Sequence, residues 1–209
     1  MTLTLAIVAL PIGFVAWTLT EYLAHRFLMH STGGRGPAAH EHLMHHAQPA
    51  RTRTFVRTIG HLSMYATAAA LGWLLALVLP TSIAIGLALG WALGYTAYEG
   101  LHFAAHHYRV RGRYDEWLRE RHFHHHFGSP KKNLGVLVPW WDRLFGTEER
   151  PVIVTVPRRV AMAWLLDDDG RVRSEFAAQY RVVGRRERTD AQLASDRTAA
   201  FADRLLSVE

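Results

Sequence analysis

The sequence predicts an all-α integral membrane protein, built as a bundle of about three transmembrane helices with a histidine-rich helical cap on the cytoplasmic side. Two stretches, 1–20 and 58–98, contain no Asp, Glu, Lys or Arg. All but one of the 14 histidines lie outside these stretches, and none follows His126. A soluble fold mixes polar and apolar residues at helical or strand period, so uncharged blocks of this length indicate that lipid is the solvent.

The uncharged blocks divide into three candidate spans. A helix needs about 20 residues to cross the hydrocarbon core. The first run, 3–19, continues without a break past Glu21 to His25, and it lacks the basic start and small-residue cleavage site of a signal peptide. The long block breaks at Pro80 and Thr81, which predicts a helical hairpin of 59–79 and 82–102.

Three glycines, Gly86, Gly90 and Gly94, recur at four-residue spacing in the third predicted span. Small residues at this spacing let a neighbouring helix approach closely. The alternative is that they only accompany an alanine-rich segment.

Arginine predicts the orientation of the spans. The connection between the first two spans contains arginines, whereas the N-terminus and the Pro80 turn contain no Lys or Arg. The positive-inside rule therefore assigns the histidine clusters and the C-terminus to the cytoplasm. The formal charge of +6 could suggest nucleic acid, but arginines that flank apolar blocks fit lipid headgroups, so we expect the bilayer and no nucleic acid as partner.

The histidines form four clusters whose spacing predicts metal binding. Residues at i, i+3 and i+4 share one face of a helix, so two triples can each aim their rings at one point. A pair at i, i+4 ends the third span. A pair five residues apart follows the first span, where an ideal helix would turn the two rings apart, so these two histidines serve two different metals or the helix is locally distorted. The candidate ligands are His25, His30, His42, His45, His46, His102, His106, His122, His125 and His126.

The number of histidines indicates two metal ions. One tetrahedral zinc takes four ligands, so these clusters exceed a single zinc site. Two metals with about five imidazoles each would leave positions open, as O2 activation by a redox metal requires. Imidazole also binds zinc, copper and nickel, so spacing alone leaves the metal open. A histidine-rich tract that only sequesters metal is the alternative.

Other polar residues near the clusters are candidates for hydrogen bonds to the ligands, because metal-bound imidazoles usually donate their second N–H. These candidates are Glu99, His40, His107 and His124. His61, inside the second span, is interpreted as a packing or interfacial residue.

The sequence divides into a membrane di-metal domain, 1–150, and a charged cytoplasmic tail, 151–209, to which no role is assigned. Within the tail, 151–157 could form a short strand and 190–206 an amphipathic helix.

The combined motifs resemble the fatty acid hydroxylase/sterol desaturase superfamily of membrane di-iron enzymes. The resemblance covers about 20–147 and ends in the segment 133–147, which contains Trp141, Asp142 and Gly146. The start of the third cluster, Tyr98 and Glu99 before His102, is closer to fatty acid 2-hydroxylases. Four membrane helices are usual in that family, whereas three are predicted here.

The resemblance implies two Fe ions, with Zn as a possible substitute, and O2 as co-substrate. It implies hydroxylation of a lipid C–H bond, with the 2-position of a fatty acyl chain as one candidate. Two electrons would come from an external donor, cytochrome b5-like or ferredoxin-like. The alternatives are a carotenoid or sterol-type hydroxylase or desaturase and, from another class, a histidine-rich membrane metal transporter or sensor. Transporters place ligands near the bilayer midplane, where these spans have almost none.

Overall fold

A computed structural model describes residues 2–49, 54–109 and 112–184 and is mostly helical, as predicted. Helix α1 spans Thr2–Leu23 and continues as a π-helix, Ala24–His30. The helices α2 (Pro37–Ala47), α3 (Thr54–Ala76), α4 (Thr81–His107), α5 (Arg113–Phe127) and α6 (Trp140–Leu144) follow. The break between α3 and α4 confirms the predicted hairpin division at Pro80.

Two helical segments among the described residues are long and apolar enough to cross a membrane, Thr2–His30 and Phe55–Ala76. A helix in the core of a soluble protein would be mostly buried, whereas only 22% and 6% of these segments are buried. Large apolar side chains such as Phe55 and Val78 are 77% and 79% exposed. Helix α4, where we predicted the third span, is not among the two segments, so the three-span arrangement stays a prediction.

The chain forms two compact units, and the first comprises Met1–Glu21 and Thr52–Gly100. Within it, α1 and α4 are in backbone contact. A Cβ atom built on Gly90 would lie 1.9 Å from the Leu10 carbonyl oxygen, and one on Gly86 would lie 2.3 Å from that of Ala6. The glycine spacing therefore does serve close helix approach. Trp17 packs edge-on against Trp91 at 4.6 Å between ring centroids.

The second unit comprises Tyr22–Arg51 and Leu101–Glu209. It contains the π-helix, α2, α5 and α6, together with two short strands, β1 (Val154–Pro157) and β2 (Tyr180–Val183), which pair in parallel. The strand expected within 151–157 is confirmed, and the small sheet departs from an all-α fold. Phe123 of α5 contacts Trp164 at 6.0 Å between ring centroids, so the part of the predicted tail up to 184 packs on α5. The helix predicted over 190–206 lies outside the described residues.

Replacing Gly90 with alanine tests the contact between α1 and α4. We expect Gly90→Ala to destabilise the protein by about 1–3 kcal/mol, because the added methyl group has no space. Gly100→Ala on the same helix is the matched control, since a Cβ atom there meets nothing within 4 Å. The control should gain up to about 1 kcal/mol from helix propensity. Thermal unfolding in detergent measures both changes, and equal behaviour of the two variants would contradict the close approach.

Candidate metal centre

The second unit brings the ten candidate ligand histidines together in two groups of five. Within each group the potential ligand nitrogens all lie within 4.8 Å of one another. Group one consists of His25, His30, His42, His46 and His125, and group two of His45, His102, His106, His122 and His126. All of group one is buried, while His45 and His102 of group two are only half-buried.

The π-helix explains how His25 and His30 reach the same group. A π-helix closes i→i+5 hydrogen bonds, so residues five apart lie one above the other. The segment Ala24–His30 adopts this rare conformation, and the two ring centroids are 5.0 Å apart. The pair that an ideal α-helix would separate is therefore brought together by a local widening of the helix.

The two histidine triples do not each converge on one point, and this part of our prediction was wrong. His42 and His46 of α2 join group one, whereas His45 joins group two. In α5 the pattern is mirrored, because His122 and His126 join group two and His125 joins group one. Successive residues of an α-helix turn by about 100°, so i+3 lies about 60° to one side of i and i+4 about 40° to the other. The shared face is wide enough to serve two neighbouring sites.

Within each group, Nε2 atoms of neighbouring histidines lie about 3 Å apart, close enough to bind one cation. In group one the Nε2 atom of His42 lies 3.0, 2.9 and 3.0 Å from those of His25, His30 and His46. In group two the Nε2 atoms of His102 and His45 are 2.8 Å apart. Nitrogens bound to one metal at about 2.1 Å lie about 3.0 Å apart at right angles and about 3.4 Å apart at tetrahedral angles. Each group offers five potential ligand nitrogens, one more than a tetrahedral zinc ion takes.

Two rings of group one are oriented by backbone carbonyl oxygens. The Nδ1–H of His25 donates to the Leu134 oxygen at 2.6 Å, and that of His125 donates to the Lys132 oxygen at 2.9 Å. A carbonyl oxygen can only accept, so in the neutral rings Nδ1 carries the proton and Nε2 presents a lone pair. This is the tautomer that a metal ligand requires.

Burial keeps the imidazoles neutral. It lowers the pKa of His45 to about 4, and it also holds the pKa of His46 and His126 well below the ordinary value. Neighbouring histidines lower these pKa values further, because a second positive charge in the cluster is unfavourable. At neutral pH the groups therefore offer lone pairs rather than protons.

The histidines expected to support the ligands lie outside both groups. His40 is exposed, and His107 stacks on Phe103 with ring centroids 4.1 Å apart. His124 Nε2 contacts the Glu149 carboxylate at 2.8 Å. No hydrogen bond to a ligand ring is among these contacts.

Glu99 and His61 belong to the first unit and contact each other. The Glu99 carboxylate lies 3.9 Å from Arg57 and 4.0 Å from His61. Its role beside the ligands stays a prediction. His61 Nδ1 lies 2.6 Å from the Tyr95 hydroxyl, which fits the packing role expected for it.

Residues that sequence reasoning left without a role lie in the segment 133–147. Asn133 has φ of 53°, a left-handed conformation that asparagine tolerates better than most residues. This bend directs the carbonyl groups on either side of it to His125 and His25. Asp142, fully buried, accepts hydrogen bonds from the backbone of Leu134 and Gly135. The resemblance included Asp142, but nothing in the sequence distinguishes a buried aspartate there from a surface one.

The fold and the site together define a helical membrane protein with a paired polyhistidine centre. A family model described as "Fatty acid hydroxylase" matches residues 10–147. The chain belongs to the fatty acid hydroxylase family.

Curated relatives carry related names. The chain is 33% identical over 156 residues to the "Ceramide very long chain fatty acid hydroxylase scs7" of Schizosaccharomyces pombe, an alignment that covers 69% of this chain and 43% of that protein. It is 30% identical to the "Dihydroceramide fatty acyl 2-hydroxylase FAH2" of Arabidopsis thaliana, covering 65% and 58%. It is 31% identical to the "Fatty acid 2-hydroxylase" of Rattus norvegicus, covering 65% and 38%. The chain therefore spans about half the length of these relatives or less.

A solved structure has a similar fold. It is titled "Full length scs7p (only hydroxylase domain visible)", and the similarity has a TM-score of 0.54 at 27% sequence identity. It covers 69% of this chain and 56% of the other. The family assignment therefore agrees with the fold as well as with the sequence.

Two adjacent histidines of α5 allow a sharp test of the metal centre. We expect His125→Ala to lower bound metal from about two ions per chain to about one, because group one loses a ligand. His124→Ala should leave metal content unchanged, since that ring faces Glu149. Elemental analysis of the purified variants measures both. Full metal content in His125→Ala would remove this residue from the ligand set.

Proposed function

We propose that the chain is a membrane di-iron oxygenase that hydroxylates a C–H bond of a fatty acyl lipid, at the 2-position, with O2 and two electrons from a separate donor. The observation that carries the proposal is the pair of five-histidine groups with neutral, converging Nε2 atoms. Membership in the fatty acid hydroxylase family supports the reaction type.

In the proposed reaction, a lipid C–H group, O2, two electrons and two protons are converted to a lipid C–OH group and water. One oxygen atom enters the new C–O bond and the other leaves as water. Bound iron would supply O2 activation and removal of the hydrogen atom. The electrons would come from a cytochrome b5-like or ferredoxin-like protein.

The histidine groups would hold the metals and limit access to them. The five imidazoles of each group would hold one ion, and the bound ion would supply O2 activation. The complete burial of group one excludes water from that side. His45 and His102 are half-buried, so we assign the approach of O2 and the acyl chain to group two. A dry, enclosed site also protects reactive species from side reactions.

The assignment of iron rests on geometry and chemistry together. The five imidazoles of each group exceed the four ligands of structural zinc and would suit an iron ion with a higher coordination number. Zinc can occupy the same rings in a purified sample. Hydroxylation of an unactivated C–H bond requires a redox metal, and zinc has no redox chemistry.

The names of the relatives support an acyl-lipid substrate. They describe ceramide, dihydroceramide and fatty acid hydroxylases, the latter two at position 2. The exposed apolar surface of the first unit suits a substrate that resides in the bilayer. We therefore favour a membrane-resident acyl chain over a soluble one.

We also propose the topology and domain division. Residues 1–150 form the membrane di-metal hydroxylase domain with three spans, and both the histidine groups and the C-terminus face the cytoplasm. The family match over 10–147 supports the domain boundary, and the distribution of arginine supports the orientation.

Lipid mass spectrometry of cells that express the protein tests the reaction. We expect acyl lipids with an added mass of about 16 Da, from insertion of one oxygen atom, and fragment ions that place the hydroxyl group at carbon 2. His45→Ala, which removes a ligand of group two, should abolish the product, and His124→Ala should retain it. A loss of two hydrogen atoms would instead indicate desaturation, and altered metal uptake with unchanged lipids would indicate transport.

Cysteine labelling tests the orientation, because the sequence contains no cysteine. We expect a membrane-impermeant maleimide to label Thr81→Cys in intact cells and to label Lys131→Cys only after the membrane is opened. Both positions are exposed in the structure, so differences in reactivity report the side of the membrane. Labelling of Lys131→Cys in intact cells would contradict the cytoplasmic assignment.

A further inference from the structure

A buried carboxylate lies next to group one without belonging to it. Asp142 of α6 is 0% exposed. Its Oδ1 accepts hydrogen bonds from the Leu134 backbone N–H at 2.8 Å and from the Thr147 hydroxyl at 2.7 Å. Its Oδ2 accepts from the Gly135 backbone N–H at 2.9 Å and faces Arg121 at 3.4 Å. A buried carboxylate is costly unless its charge is matched and its oxygens are hydrogen-bonded, and here both conditions are met.

The hydrogen bonds of Asp142 hold the peptide whose carbonyl group orients His25. The Leu134–Gly135 peptide donates its N–H to Asp142 at 2.9 Å, and its oxygen accepts from His25 Nδ1 at 2.6 Å. The N–H of the preceding peptide, at Leu134, also donates to Asp142. The next residue, Gly135, leaves no room for a side chain, chiefly because of the Val138 carbonyl group. A Cβ atom on Gly135 would lie 3.1 Å from Asp142 Oδ2 and 2.6 Å from the Val138 carbonyl oxygen.

A second connection ties the same carboxylate to the helix that carries His25. The Thr147 hydroxyl, which donates to Asp142, lies 2.9 Å from the hydroxyl of Tyr22. Tyr22 is fully buried and lies three residues before His25, just ahead of the π-helix. Asp142 is thus linked both to the backbone that accepts from His25 and to the helix from which His25 projects.

The two histidine groups differ in this support. In group one, His25 and His125 have their Nδ1 atoms bound to carbonyl oxygens of the loop next to Asp142. The Nδ1 atoms of His46 in group one and of His106, His122 and His126 in group two are buried without a hydrogen-bond partner in the described part of the chain. The hydrogen bonds that Asp142 accepts from the loop therefore support histidines of group one.

We propose that Asp142 is a positioning residue, which fixes the ring of His25 through the Leu134 carbonyl and thereby sets the metal affinity of group one but not of group two. The inference rests on the proposed two-metal centre. Removing a group that orients a metal-bound histidine typically weakens metal binding about 10- to 100-fold. We expect this range for Asp142→Asn, which keeps the shape of the side chain but turns an N–H₂ group toward donors that need an acceptor.

The experiment is a Co²⁺ titration of the metal-free, detergent-solubilised full chain, in competition with a chelator. The wild-type protein should show two binding steps. His46→Ala and His122→Ala identify them, because each removes a ligand of one group only. In Asp142→Asn the Co²⁺ affinity of group one, the step that His46→Ala abolishes, should fall about 10- to 100-fold. The affinity of group two, the step that His122→Ala abolishes, should stay unchanged. Arg143→Ala, an exposed neighbour, should bind as the wild type does.

A purely structural role predicts a different outcome. Equal weakening of both steps, or a lower unfolding temperature with unchanged affinities, would overturn the positioning role and leave the two-metal centre in place. Fewer than two ions bound by the wild-type protein would overturn the centre and, with it, this inference.

If Asp142→Asn does not fold, the same Co²⁺ titration of Thr147→Val tests the proposal. It removes one donor to Asp142 and the link to Tyr22 but leaves the carboxylate in place. A selective weakening of the group-one step, smaller than 10-fold, would support the proposal. Unchanged affinity at that step would refute it.

Discussion

The convergence of neutral imidazole nitrogens at the ends of several helices is the constraint on which the rest of the structure depends. Lone pairs about 3 Å apart repel one another, and burial prevents protons from relieving the repulsion. A bound cation would offset the negative potential that these lone pairs create. Because the ten histidines are distant in sequence, metal binding at the proposed centre would stabilise the packing of the helices.

This constraint accounts for departures from regular geometry near the site. The π-helix lets two histidines five residues apart face one ion. The left-handed conformation of Asn133 places the carbonyl groups of the residues on either side of it against two rings. Each distortion of the backbone costs free energy. It is retained only where contacts with the surrounding structure hold the backbone in that conformation. Here the ligand arrangement supplies those contacts.

The helices were predicted from local signals, and the ten histidines named as candidate ligands on local spacing are the ones that lie in the two groups. Uncharged runs define apolar helices, and the spacing of His42, His45 and His46 defines one helix face. The sequence could not predict which histidines share a group, since that depends on where other helices approach. It could not predict the π-helix, because His25 and His30 follow no α-helical pattern. The burial of Asp142 could not be predicted for a similar reason, because it arises from contacts with residues on other segments.

The division of neighbouring histidines between the two groups means that α2 and α5 each serve both metals of the proposed centre. His45 and His46 on α2, and His125 and His126 on α5, coordinate opposite sides in the proposed centre. The separation of the two ions is then determined by the pitch of two rigid helices rather than by flexible loops. A one-residue insertion before either histidine triple would rotate all three rings and disable both ions at once. A shift of either helix in register therefore affects both ions, whereas a substitution of a single histidine affects only one.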